Sequence, residues 1–395
     1  MRLFAIAVIL SPAFGAPAQD PLIGQAHAAP PEFAADALLR IAENAKLSPA
    51  AKIELIEEAF RLAQSAHFPM PFRSFRSESD SGAAVLNQAY RLHLDALSLQ
   101  SRAVRDLLPL AAAKARQHFE EIRFPELPAL TCADALIPDV ASFYEVLGQV
   151  VQNTFTQKER SKEEHVNFLL SYLSRLISPA QLAPVARMLR TLTLTPAQRD
   201  LVFVQFNGIL ESMESPSRAY QATLPDIEAA LTDDMRPAFA QYDRRAGTTN
   251  LPCADSDIET HKFWQSSGST AMFEEVRNRH APDLLQQVSS WSGPFEEKSL
   301  IYMALLDSAS GPDFEKTLAA FVEFLNSSNL QQQSPVEWFM PAKSLFDRFH
   351  DGNAVEAERV MAAYRESGNP ILVLYAALEE RYGSKRPAWI GASAQ

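Results

Sequence analysis

Cysteine is almost absent: the 395-residue chain holds two, Cys132 and Cys253, so at most one intramolecular bridge can form. Glycine is also scarce, at 13 residues against 26 prolines. Large α/β enzymes spend glycines on βα turns and phosphate loops. Here no GxGxxG, P-loop, GxSxG, SxxK or HExxH pattern occurs. The eight histidines are scattered, and none falls at ligand spacing. Asp255-Ser256-Asp257 starts like a calcium loop, but Thr260 stands where a glycine is needed and Ser266 where a glutamate is needed. No cofactor and no metal site is therefore expected. Positive charge is in deficit, with 36 Lys and Arg against 48 Asp and Glu for a net charge of −12. That balance argues against nucleic acid and anionic lipid surfaces as partners. Beyond the N-terminus no long uncharged apolar run occurs, so the mature chain is not expected to span a membrane.

The N-terminus itself carries such a run, in a short form. Met1-Arg2 supplies a positive charge, and Leu3 to Leu10 is unbroken apolar sequence. Ser11-Pro12 ends it, and Ala13-Phe14-Gly15 and Ala16-Pro17-Ala18 both fit the small-x-small cleavage rule. Residues 1–18 read as a secretory signal peptide and leader. The protein is expected to be exported, to the periplasm or the medium.

Helical periodicity dominates the rest of the chain. Predicted helices cover 33–46, 49–66, one or two within 82–122, then 138–155, 162–177, 179–193, 270–291, 295–308, 312–327, 334–349, 353–366 and 369–382. In 312–327, Phe314, Leu318, Phe321, Val322 and Leu325 share one face. Ser48-Pro49, Ser178-Pro179 and Thr195-Pro196 each give an N-cap followed by proline at the first helical position. Leu201 to Phe206 has strand-like composition, but it comes after one of these caps and reads as a buried helix. Alternating strand and helix signals are absent. The fold class is all-α, expected as antiparallel helical hairpins stacked into an α-solenoid-like array.

A near-repeat surrounds the two cysteines. Leu130, Cys132, Ala133, Asp134, Ile137 and Phe143 recur as Leu251, Cys253, Ala254, Asp255, Ile258 and Trp264, at a constant offset of 121. With an offset of 133, Pro179 then faces Pro312, and Leu170, Leu173, Val185, Leu189 and Leu192 face Met303, Leu306, Leu318, Val322 and Leu325. This reads as a helical N-terminal region (32–124), helical unit A (125–245), a duplicated unit B (246–385) and a flexible tail (386–395). Asp134 and Asp255 are expected to cap turns, and Phe143 and Trp264 to anchor the next helix. In an oxidising compartment a Cys132–Cys253 disulfide is expected; two buried free thiols, one per unit, are the alternative. A zinc site from Cys132, Asp134, Cys253 and Asp255 is set aside, because structural zinc favours Cys and His.

One further segment stands out. Phe68, Phe72, Arg73, Phe75 and Arg76 lie in a proline-rich, basic stretch that cannot be helical. It reads either as a binding strap or as an extended connector whose rings pack between helices, and the second is the ordinary case. The functional expectation is a non-enzymatic binding or scaffold protein with a peptide or protein partner. The alternative is an all-α secreted hydrolase or lyase on polysaccharide or lipid, using Asp or Glu residues that no motif reveals.

Overall fold

The computed structural model describes residues 20–66, 72–73, 92–125, 136–137, 139–213, 227–249, 282–328 and 334–383. Helices α1 (Pro21–His27), α2 (Pro31–Asn44), α3 (Pro49–Ala63), α4 (Ala96–Leu107) and α5 (Ala112–Glu121) come first. A middle group comes next: α6 (Ala141–Asn153), α7 (Gln157–Ser161), α8 (Glu164–Leu173), a 3₁₀ turn Pro179–Gln181, α9 (Leu182–Thr191), α10 (Pro196–Ser212) and α11 (Arg236–Thr249). The C-terminal group is α12 (Pro282–Ser290), α13 (Phe295–Ser308), α14 (Gly311–Ser327), α15 (Pro335–His350), α16 (Ala354–Glu366) and α17 (Pro370–Tyr382). Among the described residues the only strands are β1 (Phe72–Arg73) and β2 (Leu136–Ile137), an antiparallel two-residue ladder. The protein is all-α.

The proline excess has a local cause. Pro21, Pro31, Pro49, Pro179, Pro196, Pro312, Pro335 and Pro370 all sit in the first two positions of a helix. There the missing N–H has no helical partner to lose, and the fixed φ already suits the helix. Ser48 accepts from the amide of Ala51 as predicted, while Ser178 and Thr195 form full capping boxes with Gln181 and Gln198. Ser334 with Glu337 makes another, at a position not singled out by sequence. Each such cap contributes about 1 kcal/mol. Pro179 opens a 3₁₀ turn and the α-helix starts only at Leu182.

One continuous apolar core runs from Leu22 to Tyr382. The order of packing along it is not the order of the chain. α2 and α3 pack on α4, α4 packs on α6, α6 on α8 and α9, α8 on α10, and α10 on α11. The C-terminal group instead returns to the beginning, with α17 against both α1 and α2. The Phe33 ring meets Phe339 edge-on at 5.1 Å, and Arg381 pairs with Asp20 at 2.7 Å. A strictly sequential array would leave the last helix far from the first, whereas here the two are in contact.

The two units that the near-repeat suggested share a burial pattern more than a packing pattern. Leu173 and Leu306, Val185 and Leu318, Leu189 and Val322, and Leu192 and Leu325 are buried on both sides of the comparison. Yet α8 and α9 both lie against α6, whereas α13 and α14 lie against each other. The cysteine segments themselves (Cys132, Asp134, Cys253, Asp255 and Trp264) lie outside the described residues.

Candidate functional site

Two places concentrate unusual chemistry. The first is a charged seam inside the helix assembly. Helix α2 is mostly apolar, but Asp36, Arg40 and Glu43 recur at i, i+4 and i+7 and so share one face. That face meets α4, whose Arg102 is only 6% exposed. Arg102 grips Glu43 with Nε and Nη2 at 2.9 Å each, and donates from Nη1 to Asp36 at 2.6 Å. Arg40 pairs with Asp36 at 2.9 Å and reaches Glu379 of α17 at 3.2 Å. Arg105 contacts Asp106 at 3.0 Å and Glu43 at 3.4 Å. Burial pushes the Asp106 carboxyl up to about 7, with Arg105 opposing and Glu43 adding to the rise. Three helices, α2, α4 and α17, are thus joined by one forked Arg102–Glu43 pair and by single guanidinium–carboxylate contacts.

The chemistry available to this seam is limited. Asp36, Glu43 and Glu379 already accept from arginines, which occupies the lone pairs that a base or nucleophile would use. Beyond the seam, Asp95 caps α4 through the Ser98 amide at 2.9 Å, and burial raises its carboxyl to about 6. Asp139 caps α6 through the Ala141 amide at 2.8 Å. His93, in left-handed backbone at φ 52°, lies 3.7 Å from the Asp139 carboxylate. Burial holds its pKa below the ordinary value.

The second place is the outer surface of α10. Val202, Phe206 and Leu210 point into the core, as an amphipathic helix requires. Leu201 and Val204 point the other way, and they are 47% and 71% exposed. Among the described residues, α8 and α11 are the helices that pack closely on this helix. Ala197 and Gly208 lie on the same outward face, and a Cβ at Gly208 would meet open space. Asp200 and Glu211 stand exposed along one edge. Glu163 accepts from Gln198 at 3.5 Å near the N-terminal end. Arg245 is committed to the carbonyls of Leu210 and Glu211 at the C-terminal end. The buried helix expected for Leu201 to Phe206 is correct as a helix and corrected in its burial: two of those residues face outward.

The residues singled out in the sequence are distributed unevenly. Phe143 is buried, stacked on Phe119 at 4.9 Å and edge-on to Phe124 and Tyr144. Phe72 and Arg73 pair in register with Ile137 and Leu136, so the strap forms one edge of the ladder. Phe68, Phe75 and Arg76 lie outside the described residues. Among the described residues no group of three or more His, Cys, Asp or Glu is placed to hold a metal ion, and no helix is long and apolar enough to cross a membrane. Neither the seam nor the outer face of α10 was identified from sequence. The signals were present: the 36/40/43 spacing in α2, and apolar residues on both sides of 196–212. No protein-family model matches the chain, and comparison with curated proteins and with solved structures finds no match.

Proposed function

We propose that this is an exported, non-enzymatic helical binding protein whose peptide or protein partner docks on the outer face of α10. One observation carries the reading: α10 buries Val202, Phe206 and Leu210 on one face and leaves Leu201 and Val204 exposed on the other, with no cover among the described residues. A helix with apolar residues all round belongs in an interior. Exposed Leu201 and Val204, flanked by Ala197 and Gly208, form such a face without its cover. The engaged carboxylates of the seam fit a framework role better than acid–base chemistry. The Leu3–Leu10 run supports export, and N-terminal sequencing of the mature protein should find a start between Ala16 and Gln19.

The binding reading is tested with a photoreactive benzophenone amino acid at position 204 in the producing cell. A discrete protein adduct is expected, lost when Leu201→Ser is added. The same probe at Val355, also exposed at 64%, serves as control and should give none. Adducts indifferent to Leu201→Ser, or equal at both positions, would sink the reading.

The enzyme alternative is supported by one feature, the His93–Asp139 pair with its left-handed histidine, since backbone strain concentrates at functional sites. Its test is turnover of polysaccharide and lipid-ester substrates by the wild type, abolished in a folded His93→Gln variant.

A further inference from the structure

The partner's chemistry is set by the rim of the α10 face, and this inference rests on the reading of that face as the binding surface. Taking Val204 as the centre and about 100° per residue, Ala197, Asp200, Leu201, Asn207, Gly208 and Glu211 all fall within about 60° of it. The face therefore holds two exposed aliphatic side chains, Leu201 and Val204, with carboxylates toward both ends. Asp200 and Glu211 are separated by about 16 Å along the axis. Arg199, the nearest cation on the helix itself, lies about 140° away and faces elsewhere, and Arg245 of α11 is held by the carbonyls of Leu210 and Glu211. The whole chain adds a net charge of −12.

A second copy of the chain is a poor occupant. Antiparallel pairing of two α10 faces would set Asp200 against Glu211 of the other copy, and parallel pairing would set like against like. Each arrangement brings carboxylates together while desolvating them. An aliphatic segment without charge would cover Leu201 and Val204 but leave the rim unanswered. We infer that the face accepts a basic amphipathic helix, with aliphatic side chains at i, i+3 or i+4 and i+7 and Lys or Arg beside them. Ala197 and Gly208 allow its backbone to approach closely at both ends of the strip, while Leu201 and Val204 fill the spaces between its aliphatic side chains.

Two labelled helical peptides with the same leucine stripe test this, one flanked by lysines and one by glutamates. Binding to the full chain is read by fluorescence anisotropy at low and high salt. The lysine peptide is expected to bind and the glutamate peptide to bind at least about tenfold more weakly. Leu201→Ser with Val204→Ser should weaken the lysine peptide by about tenfold or more, through lost apolar burial. Asp200→Asn with Glu211→Gln should weaken it several-fold at low salt and leave it unchanged at high salt, where screening has already removed the attraction. All four positions are exposed, so these variants keep the fold.

Equal binding of the two peptides, or indifference to the amide variants, overturns the basic partner while leaving an apolar binding face in place. Indifference to the serine variants overturns the face itself and the functional reading beneath it. A dimer seen by sedimentation and dissolved by the serine variants would make a second copy the occupant and overturn the inference.

Discussion

Helices α13 and α10 have the same kind of sequence and opposite fates. Both carry apolar residues around most of their circumference. In α13 those residues meet α12 and α14 on one side and α15 on another, and Ile301, Tyr302, Met303, Leu305 and Leu306 are all buried. In α10 only α8 and α11 provide cover among the described residues, and burial reaches Val202, Phe206 and Leu210 but not Leu201 or Val204. The difference lies in topology rather than composition. In the C-terminal group α17 closes back on α1 and α2, while α13 is enclosed by its own neighbours α12, α14 and α15. The middle group has no such closing element among the described residues. Apolar sequence states what a helix would bury; the packing order decides whether it does.

The sharpest way to break this comparison is to remove the clamp inside the assembly. Arg102→Ala leaves the half-buried Asp36 and Glu43 without the buried guanidinium that joins them, and empties its place between α2 and α4. A loss of about 3 kcal/mol is expected, because removing one partner of a largely buried ion pair costs more than the pair contributes. Urea denaturation followed by circular dichroism measures it. A loss below about 1 kcal/mol would show that Arg40 and Arg105 take over the carboxylates.

The covered helix comes next. Leu306 of α13 is fully buried. Leu306→Ala should cost about 2–5 kcal/mol, the range for a large-to-small change in a packed core. The same measurement decides it, and a cost under about 1 kcal/mol would mean that α13 is less enclosed than its burial indicates.

These two sites also show what sequence alone makes legible. Helix α14 was readable to within a residue, because Phe314, Leu318, Phe321, Val322 and Leu325 recur with helical period and all five are buried. The caps at Ser48 and Thr195 were readable because the interaction spans only three residues. The seam was not, since Arg40 and Glu379 are 339 residues apart. No local pattern states that α17 lies against α2. The exposure of Val204 was unreadable for the same reason: periodicity identifies apolar faces but does not count the helices available to cover them. The strap and the cysteine near-repeat were conspicuous as sequence, yet of these only Phe72, Arg73, Ile137 and Phe143 fall within the described residues.

The seam also sets a pH dependence of moderate size. Asp106 titrates near 7 in the folded protein and near the usual carboxylate value when unfolded, because burial penalises its charge. Asp95 behaves likewise, near 6. A raised folded pKa means that the native state holds the proton longer. Stability from these groups is therefore present in acid and lost as pH rises from about 4 toward about 7. His93, shifted downward by burial, works in the opposite sense. Asp106→Asn keeps a neutral isostere at every pH. It should flatten the decline of the urea midpoint between about pH 5 and 7 and equal or exceed the wild type near neutrality. A wild-type midpoint that rises steadily over that interval, unchanged in the variant, would show that Asp106 is ionised throughout.

The smallest effect belongs to the uncovered helix and is the most informative about function. Val204 is 71% exposed, so Val204→Ser removes little buried apolar surface in the isolated protein. Serine is close to valine in helix propensity, and a surface change away from caps and buried groups stays within about ±0.5 kcal/mol. The urea midpoint should be unchanged, in contrast to Leu306→Ala at an equally apolar position of α13. If Val204→Ser instead costs about 1–2 kcal/mol, well outside that surface range, another part of the chain covers this face in solution, and the contrast between α10 and α13 disappears with the binding surface. If stability is untouched while the basic peptide no longer binds, Val204 contributes to recognition without contributing to the fold. Only that combination separates a surface kept apolar for a partner from an apolar residue tolerated by chance.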